Sequence, residues 1–196
     1  PPVLDRVPPE KRAGLEAMIA KIGMTPAQLD PFESWAVAIT VAAGMLKDLN
    51  VSPENGVEKQ LQADFDAVKK PVSGLETTEQ QLGFFDKLPE AAQRTFLTSM
   101  VDDSVDPATE FNAMISAWSK GDDKAIALSF DDELKLSPEL TRALLHDRNA
   151  NWVTWITKRL DHPGTILIAV GAGHLAGDDS VIAMLKSRNL KVTRIQ

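Results

Sequence analysis

The residues of this chain that could do chemistry fall into three groups. The first is His174, in Gly171-Ala172-Gly173-His174, directly after the apolar run Thr165-Ile166-Leu167-Ile168-Ala169-Val170. The second is Glu76, which closes Val72-Ser73-Gly74-Leu75-Glu76. The third is the polar cluster Arg148, Asn149 and Asn151, interleaved with Trp152 and Trp155.

His174 follows a β-branched run at the point where open α/β sheets place ligand-binding groups, the crevice at the carboxyl ends of the strands. Three readings compete there on position alone. Gly171, Gly173 and Gly177 fit a loose G-x-G-x-x-x-G dinucleotide loop, with Arg194 placed to meet a 2′-phosphate, although such a loop is a weak signal. The glycines could instead turn the chain sharply, so that His174 enters a pocket as a ligand or general base. It could also be a turn histidine with no task. Glu76 has a parallel ambiguity. If both candidate strands lie parallel in one sheet, Glu76 and His174 open into the same crevice, where a carboxylate and an imidazole can share a divalent metal or act as an acid/base pair. Alternatively Glu76, with Thr77 and Thr78, caps the helix that follows. On a helix, Arg148 and Asn151 share a face, and Trp152, Trp155 and Ile156 form a neighbouring apolar face that reads as core packing.

Several classes of function are excluded. The chain has no G-x-S-x-G elbow, no G-x-x-x-x-G-K-[ST] phosphate loop and no H-E-x-x-H, so three common catalytic signatures are missing. It has 3 histidines, and a three-histidine metal site would need all of them, although His146 lies in a charged helical stretch and His162 precedes a proline in a polar turn. The absence of Cys rules out thiolate catalysis, zinc ribbons and disulfides, and leaves the redox compartment open. With a net charge of −7 and no basic cluster larger than a pair such as Lys69-Lys70, the chain lacks the basic stripe that nucleic-acid binding needs. The charge-free runs Ser34 to Leu46 and His162 to Gly177 are shorter than the roughly 18 residues of a membrane span.

The elements that must position these groups read mostly as helices. At 196 residues the chain is expected to form one domain. Helical spacing and caps predict helices over Pro9 to Ile22 with Gly23 as the stop, from Thr25-Pro26, over Phe32 to Leu49, and over Asn55 to Lys70 with Val57, Leu61, Phe65 and Val68 on one face. Further helices are predicted from Thr77-Thr78, over Pro89 to Met100, from Asp106-Pro107 to Gly121, from Asp122, and from Ser137-Pro138 into Arg148 to Leu160. Pro71 to Leu75, Thr165 to Val170 and Leu190 to Ile195 read as strands, with a helix over Asp178 to Ser187 between the last two. A strand-helix-strand unit implies a parallel pair, so the expected class is α/β, helix-rich, with a small, mainly parallel sheet.

Taken together and in this order, the stretches Gly56-Val57-Glu58, Val72-Ser73-Gly74-Leu75-Glu76-Thr77 with Gln80-Gln81-Leu82, Arg148-Asn149 with Trp152, and Val170-Gly171-Ala172-Gly173-His174-Leu175-Ala176-Gly177 resemble the TraB/PrgY/GumN family. The likeness is to its GumN-type bacterial members, spans nearly the whole chain and is most specific in the G-x-x-H-L-x-G turn. Glu58 stands where the family more often has Asp. The family is related to the Tiki metalloproteases, whose proposed site pairs two G-x-x-H motifs with acidic residues.

The resemblance implies a metal-dependent, peptidase-like hydrolase, or, as an alternative, a non-catalytic peptide-binding or sequestering module. It implies His174 as a ligand to Mn, Co or Zn, Glu76 as ligand or general base, and Arg148 and Asn149 as the polar pair on the helix, with Arg148 anchoring a carboxylate or developing oxyanion. It further implies a single domain over residues 1–196 with a helical region over about 77–160 inserted between strands, and an extracytoplasmic, periplasmic setting. No second G-x-x-H occurs, and the chain opens Pro-Pro-Val-Leu without Met, so the expectation is the later two-thirds of a family domain, its N-terminal strands and the rest of the metal site lying upstream. An open sheet edge in such a chain is expected to recruit a second copy.

Overall fold

A computed structural model describes residues 1–48, 54, 56–101, 107–134 and 137–195. The chain divides into two compact units, Pro1–Asp102 and Asp103–Gln196.

The first unit begins with two 3-10 turns, Val3–Arg6 and Pro9–Lys11. Helices α1 (Arg12–Lys21), α2 (Pro26–Leu29), α3 (Ser34–Asp48), α4 (Val57–Ala67), α5 (Thr78–Asp86) and α6 (Glu90–Ser99) follow. Their ends follow from local chemistry. Gly23, at φ +77°, ends the first helix in the left-handed conformation that costs glycine least. Thr25 and Gln28 form a capping box ahead of Pro26, and Thr77 and Gln80 form another ahead of α5. The core is made where helical spacing brings apolar residues onto one stripe: Leu15 and Ile19 of α1, Val37, Ala38 and Val41 of α3, and Leu97 of α6, joined by Val3, Leu29 and Val101.

Arg6 is the buried charge of this unit, 8% exposed. Its guanidinium donates to the carbonyls of Pro1 at 3.0 Å and Asp30 at 2.7 Å, and to that of Phe32. Asp30 Oδ1 in turn accepts from Val3 N at 2.6 Å. The planar fork of five donors is what allows one side chain to close three carbonyls of the N-terminal turn and the α2–α3 loop. Nearby, Glu90 accepts from Ser34 Oγ at 2.9 Å and from Arg94 Nε at 2.7 Å. Burial raises its pKa, but the bonds to Arg94 and Ser34 and the attraction of Arg94 and Arg6 outweigh it, and the carboxyl lies below its ordinary value.

The second unit contains α7 (Pro107–Lys120), α8 (Asp123–Leu134), α9 (Pro138–Thr141), a π turn over Arg142–His146, α10 (Asp147–Leu160), a 3-10 turn over Ala172–His174, and α11 (Val181–Ser187). Gly121, at φ +65°, separates α7 from α8, and Asp122 Oδ1 accepts from Ala125 N at 3.0 Å to start α8. Ser137 caps α9 by accepting from Leu140 N. α10 packs against α11, and α8 against α7 and the 172–174 turn.

The expected α/β class is overturned. Among the described residues there is no strand, and so no sheet, parallel or otherwise. Residues 71–74, 165–170 and 190–195 are connections without ladder bonds. Apolar, β-branched composition favours an extended backbone, but a strand exists only through hydrogen bonds to a neighbour. The run expected to be covered on both faces leaves Ile166 39% and Leu167 57% exposed. Among the described residues there is thus no sheet edge of the kind expected to recruit a second copy, and no strands flank the helical region over 77–160. α5 and α6 belong to the first unit, α7 to α10 to the second. α4 also departs from expectation: it buries no residue, and Val57 and Val68 are 51% and 62% exposed.

Gly44 of α3 lies against Ile22, the residue that follows α1. A Cβ built on it would lie 2.8 Å from Ile22 Cβ and collide with Ile22 Cγ2 as well. Gly44→Ala is therefore expected to destabilise the chain by about 1–2 kcal/mol in urea denaturation, because overpacking outweighs the helix-propensity gain of about 1 kcal/mol. In an Ile22→Ala background the sign should invert, leaving only the propensity gain.

Candidate functional site

α10 carries the polar cluster singled out in the sequence, and its packing decides which members face inward. The buried residues of the helix are Asn149, Trp152 and Val153, spaced three and four apart as one stripe requires. Asn151 and Trp155 are exposed, the latter at 45%. The face that counts therefore starts at Asn149, not at the Arg148–Asn151 pair, and of the two tryptophans read as core only Trp152 is buried.

Opposite this stripe, Gly171 leads into the 3-10 turn, closed by His174 N donating to Gly171 O at 2.9 Å. The turn places the His174 ring against α10. Its Nδ1 lies 2.7 Å from Asn149 Oδ1, and its ring centroid lies 4.5 Å from that of Trp152, at an interplanar angle of 52°. Gly177, at φ +80°, then redirects the chain to Ser180, whose Oγ accepts from Ala183 N at 3.1 Å and caps α11. Just before that cap, the carbonyl of Asp179 accepts from Asn149 Nδ2 at 2.7 Å. Asn149 is fully buried, so each end of its amide must find a partner, and each does.

Arg148 extends the arrangement. Its Cζ lies 5.0 Å from the Trp152 ring centroid, a cation–π distance, and its Nη1 donates to Leu144 O at 3.3 Å. Guanidinium and imidazole thus both lie against the one indole, the imidazole tilted to it, with the buried amide holding the imidazole at Nδ1. Such a set can bind an anionic or carbonyl oxygen through Arg148 and offer the imidazole as base or ligand.

The structure brings together His174, Asn149 and Arg148, with Trp152 as the residue that joins them. Sequence reading gave Trp152 to core packing and otherwise named it only beside Arg148-Asn149 in the family resemblance. Glu76 belongs to the other compact unit, where it is partly buried and accepts from Gln81 Nε2 at 3.4 Å. Thr77, not Glu76, caps α5. His146 pairs with Asp147 at 3.0 Å, and His162 is exposed in the turn after α10. Among the described residues, no group of three or more His, Cys, Asp or Glu side chains gathers in a way that could hold a metal ion.

The dinucleotide alternative lacks its frame. No strand precedes the glycines, and α11 starts only at Val181 with its own serine cap. Arg194 pairs with Asp123 at 3.4 Å and donates to Gly121 O. No helix among the described residues is long and apolar enough to cross a membrane.

A family model described as TraB/PrgY/gumN family matches residues 1–194. The chain is 25% identical over 186 residues to "Uncharacterized protein YbaP" of Escherichia coli (strain K12), covering 93% of this chain and 67% of that protein. The same values hold for the protein of that name from Shigella flexneri. No solved structure matches the chain.

The contact between the two rings has a direct signature. Indole ring current should move the His174 ring-proton resonances upfield of those of His146 and His162 in NMR spectra, and Trp152→Leu should return them towards the other two. Coincident shifts for all three histidines in the parent chain would exclude the contact.

Proposed function

The chain belongs to the TraB/PrgY/gumN family, and on that premise we propose that it is part of a metal-dependent hydrolase acting on peptides, with His174 as its metal-binding imidazole. The observation that supports this most is the anchoring of His174. A turn histidine with no task has no need of a fully buried amide at Nδ1 and an indole against its ring, whereas metal-ligating histidines regularly have their second nitrogen fixed by a hydrogen bond. Arg148, stacked on Trp152, is the group that would hold a substrate carboxylate or the oxyanion developing at a scissile carbonyl.

The described residues do not complete a metal centre. Catalytic zinc keeps three protein ligands, and no such group occurs among them, so no step of the reaction is assigned through a metal. Glu76 as ligand or general base, and an extracytoplasmic setting, are parts of the proposal carried by the family resemblance. Asn149, fully buried with both amide ends engaged, acts in this reading as a support for His174.

Isothermal titration with Mn²⁺, Co²⁺ and Zn²⁺, combined with turnover of a peptide library with and without chelator, tests the proposal. Metal uptake abolished by His174→Ala, and peptide turnover abolished by chelator, are the expected results. No uptake of any of the three ions, with turnover unchanged in His174→Ala, would refute it. Peptide binding without turnover and indifferent to chelator would favour the non-catalytic sequestering alternative.

A further inference from the structure

The geometry assigns Asn149 a positioning role: it places a proton on His174 Nδ1 and so puts the lone pair of the neutral ring on Nε2. The assignment starts from a backbone atom whose chemistry is fixed. The carbonyl oxygen of Asp179 can only accept, and it lies 2.7 Å from one end of the Asn149 amide. That end must therefore be the NH2 group, since a flipped amide would set two acceptors against each other in a fully buried position, with the cost of two unsatisfied groups. The other end is then Oδ1, which also only accepts. At 2.7 Å from it, His174 Nδ1 must be the donor. A single carbonyl thus dictates the amide orientation, and the amide dictates the tautomer. Free imidazole prefers its proton on Nε2, so the protein selects the less common form.

The residue type at 149 follows from the same logic. An aspartate is a frequent partner for an imidazole N–H, but here its second oxygen would face the Asp179 carbonyl with no donor between them. Only an amide gives an acceptor to the histidine and a donor to the carbonyl at once. The use of Nε2 as a metal ligand rests on the proposed hydrolase reading, whereas the place of the proton does not.

Long-range ¹H–¹⁵N correlation on the ¹⁵N-labelled chain reads the tautomer without any variant. The spectrum is taken at a pH above which the histidine shifts no longer change, so that every ring is neutral. Expected is a protonated-type shift for His174 Nδ1 and an unprotonated-type shift for Nε2, while His162 shows a mixture dominated by Nε2–H. A His174 ring protonated mainly on Nε2 would overturn the assignment, whatever the protein's metal affinity. Asn149→Leu, which keeps the branched shape but removes the acceptor, should shift His174 towards the mixture shown by His162; retention of the Nδ1–H form in that variant would also overturn it. A Co²⁺ titration separates this inference from the hydrolase proposal. If Co²⁺ binds, the Leu variant should lose about 10–100-fold in affinity. If it does not bind while His174 holds its proton on Nδ1, the proton assignment stands and the metal reading falls.

Discussion

The second unit depends on one buried amide. Asn149 is a polar side chain with no exposed surface, and its two hydrogen bonds tie three pieces of chain together: α10, the 3-10 turn that carries His174, and the residue before the cap of α11. An amide in that position would be costly with either partner missing, because a buried donor or acceptor left unsatisfied forfeits its hydration without return. The same constraint that makes the position expensive makes it specific. It fixes the approach of the histidine turn to α10, and Trp152, one turn further along the helix, then packs against the imidazole ring.

The first unit is organised by a comparable device of different chemistry. Arg6 is buried among backbone carbonyls of Pro1, Asp30 and Phe32, and Asp30 reaches back to Val3 N. These bonds close the N-terminal turn over the α2–α3 loop, against which Val3 and Leu29 join the core. A guanidinium survives burial there because its planar fork matches several oxygens at once and because it loses less hydration than an ammonium would. In both units, a polar group that sequence composition would place at the surface sets the path of a loop.

What was legible in the sequence was local. Gly23, the Thr25-Pro26 and Ser137-Pro138 pairs and the Thr77 cap act through atoms within a few residues of themselves, and the helices they bound lie where spacing put them. The family was legible too, because the G-x-x-H-L-x-G turn is a fixed run of residue types. The strands were not, since Thr165–Val170 has a strand's composition whether or not a partner lies alongside, and pairing is not written in the run itself. The site was read in part. His174, Arg148 and Asn149 were named, but the choice among Arg148, Asn149 and Asn151 for the inward position is made by packing against α11 and the histidine turn, contacts 25 to 30 residues distant in sequence.

The coupling between Asn149 and His174 is the most direct test of this account. A double-mutant cycle of Asn149→Ala, His174→Ala and the pair, read by urea denaturation, should give an interaction energy of about 1–2 kcal/mol, since each single change strands a buried partner that the double change removes. Free energies that add to within about 0.5 kcal/mol would show that the two side chains do not depend on one another, and the amide would lose its place at the centre of the site.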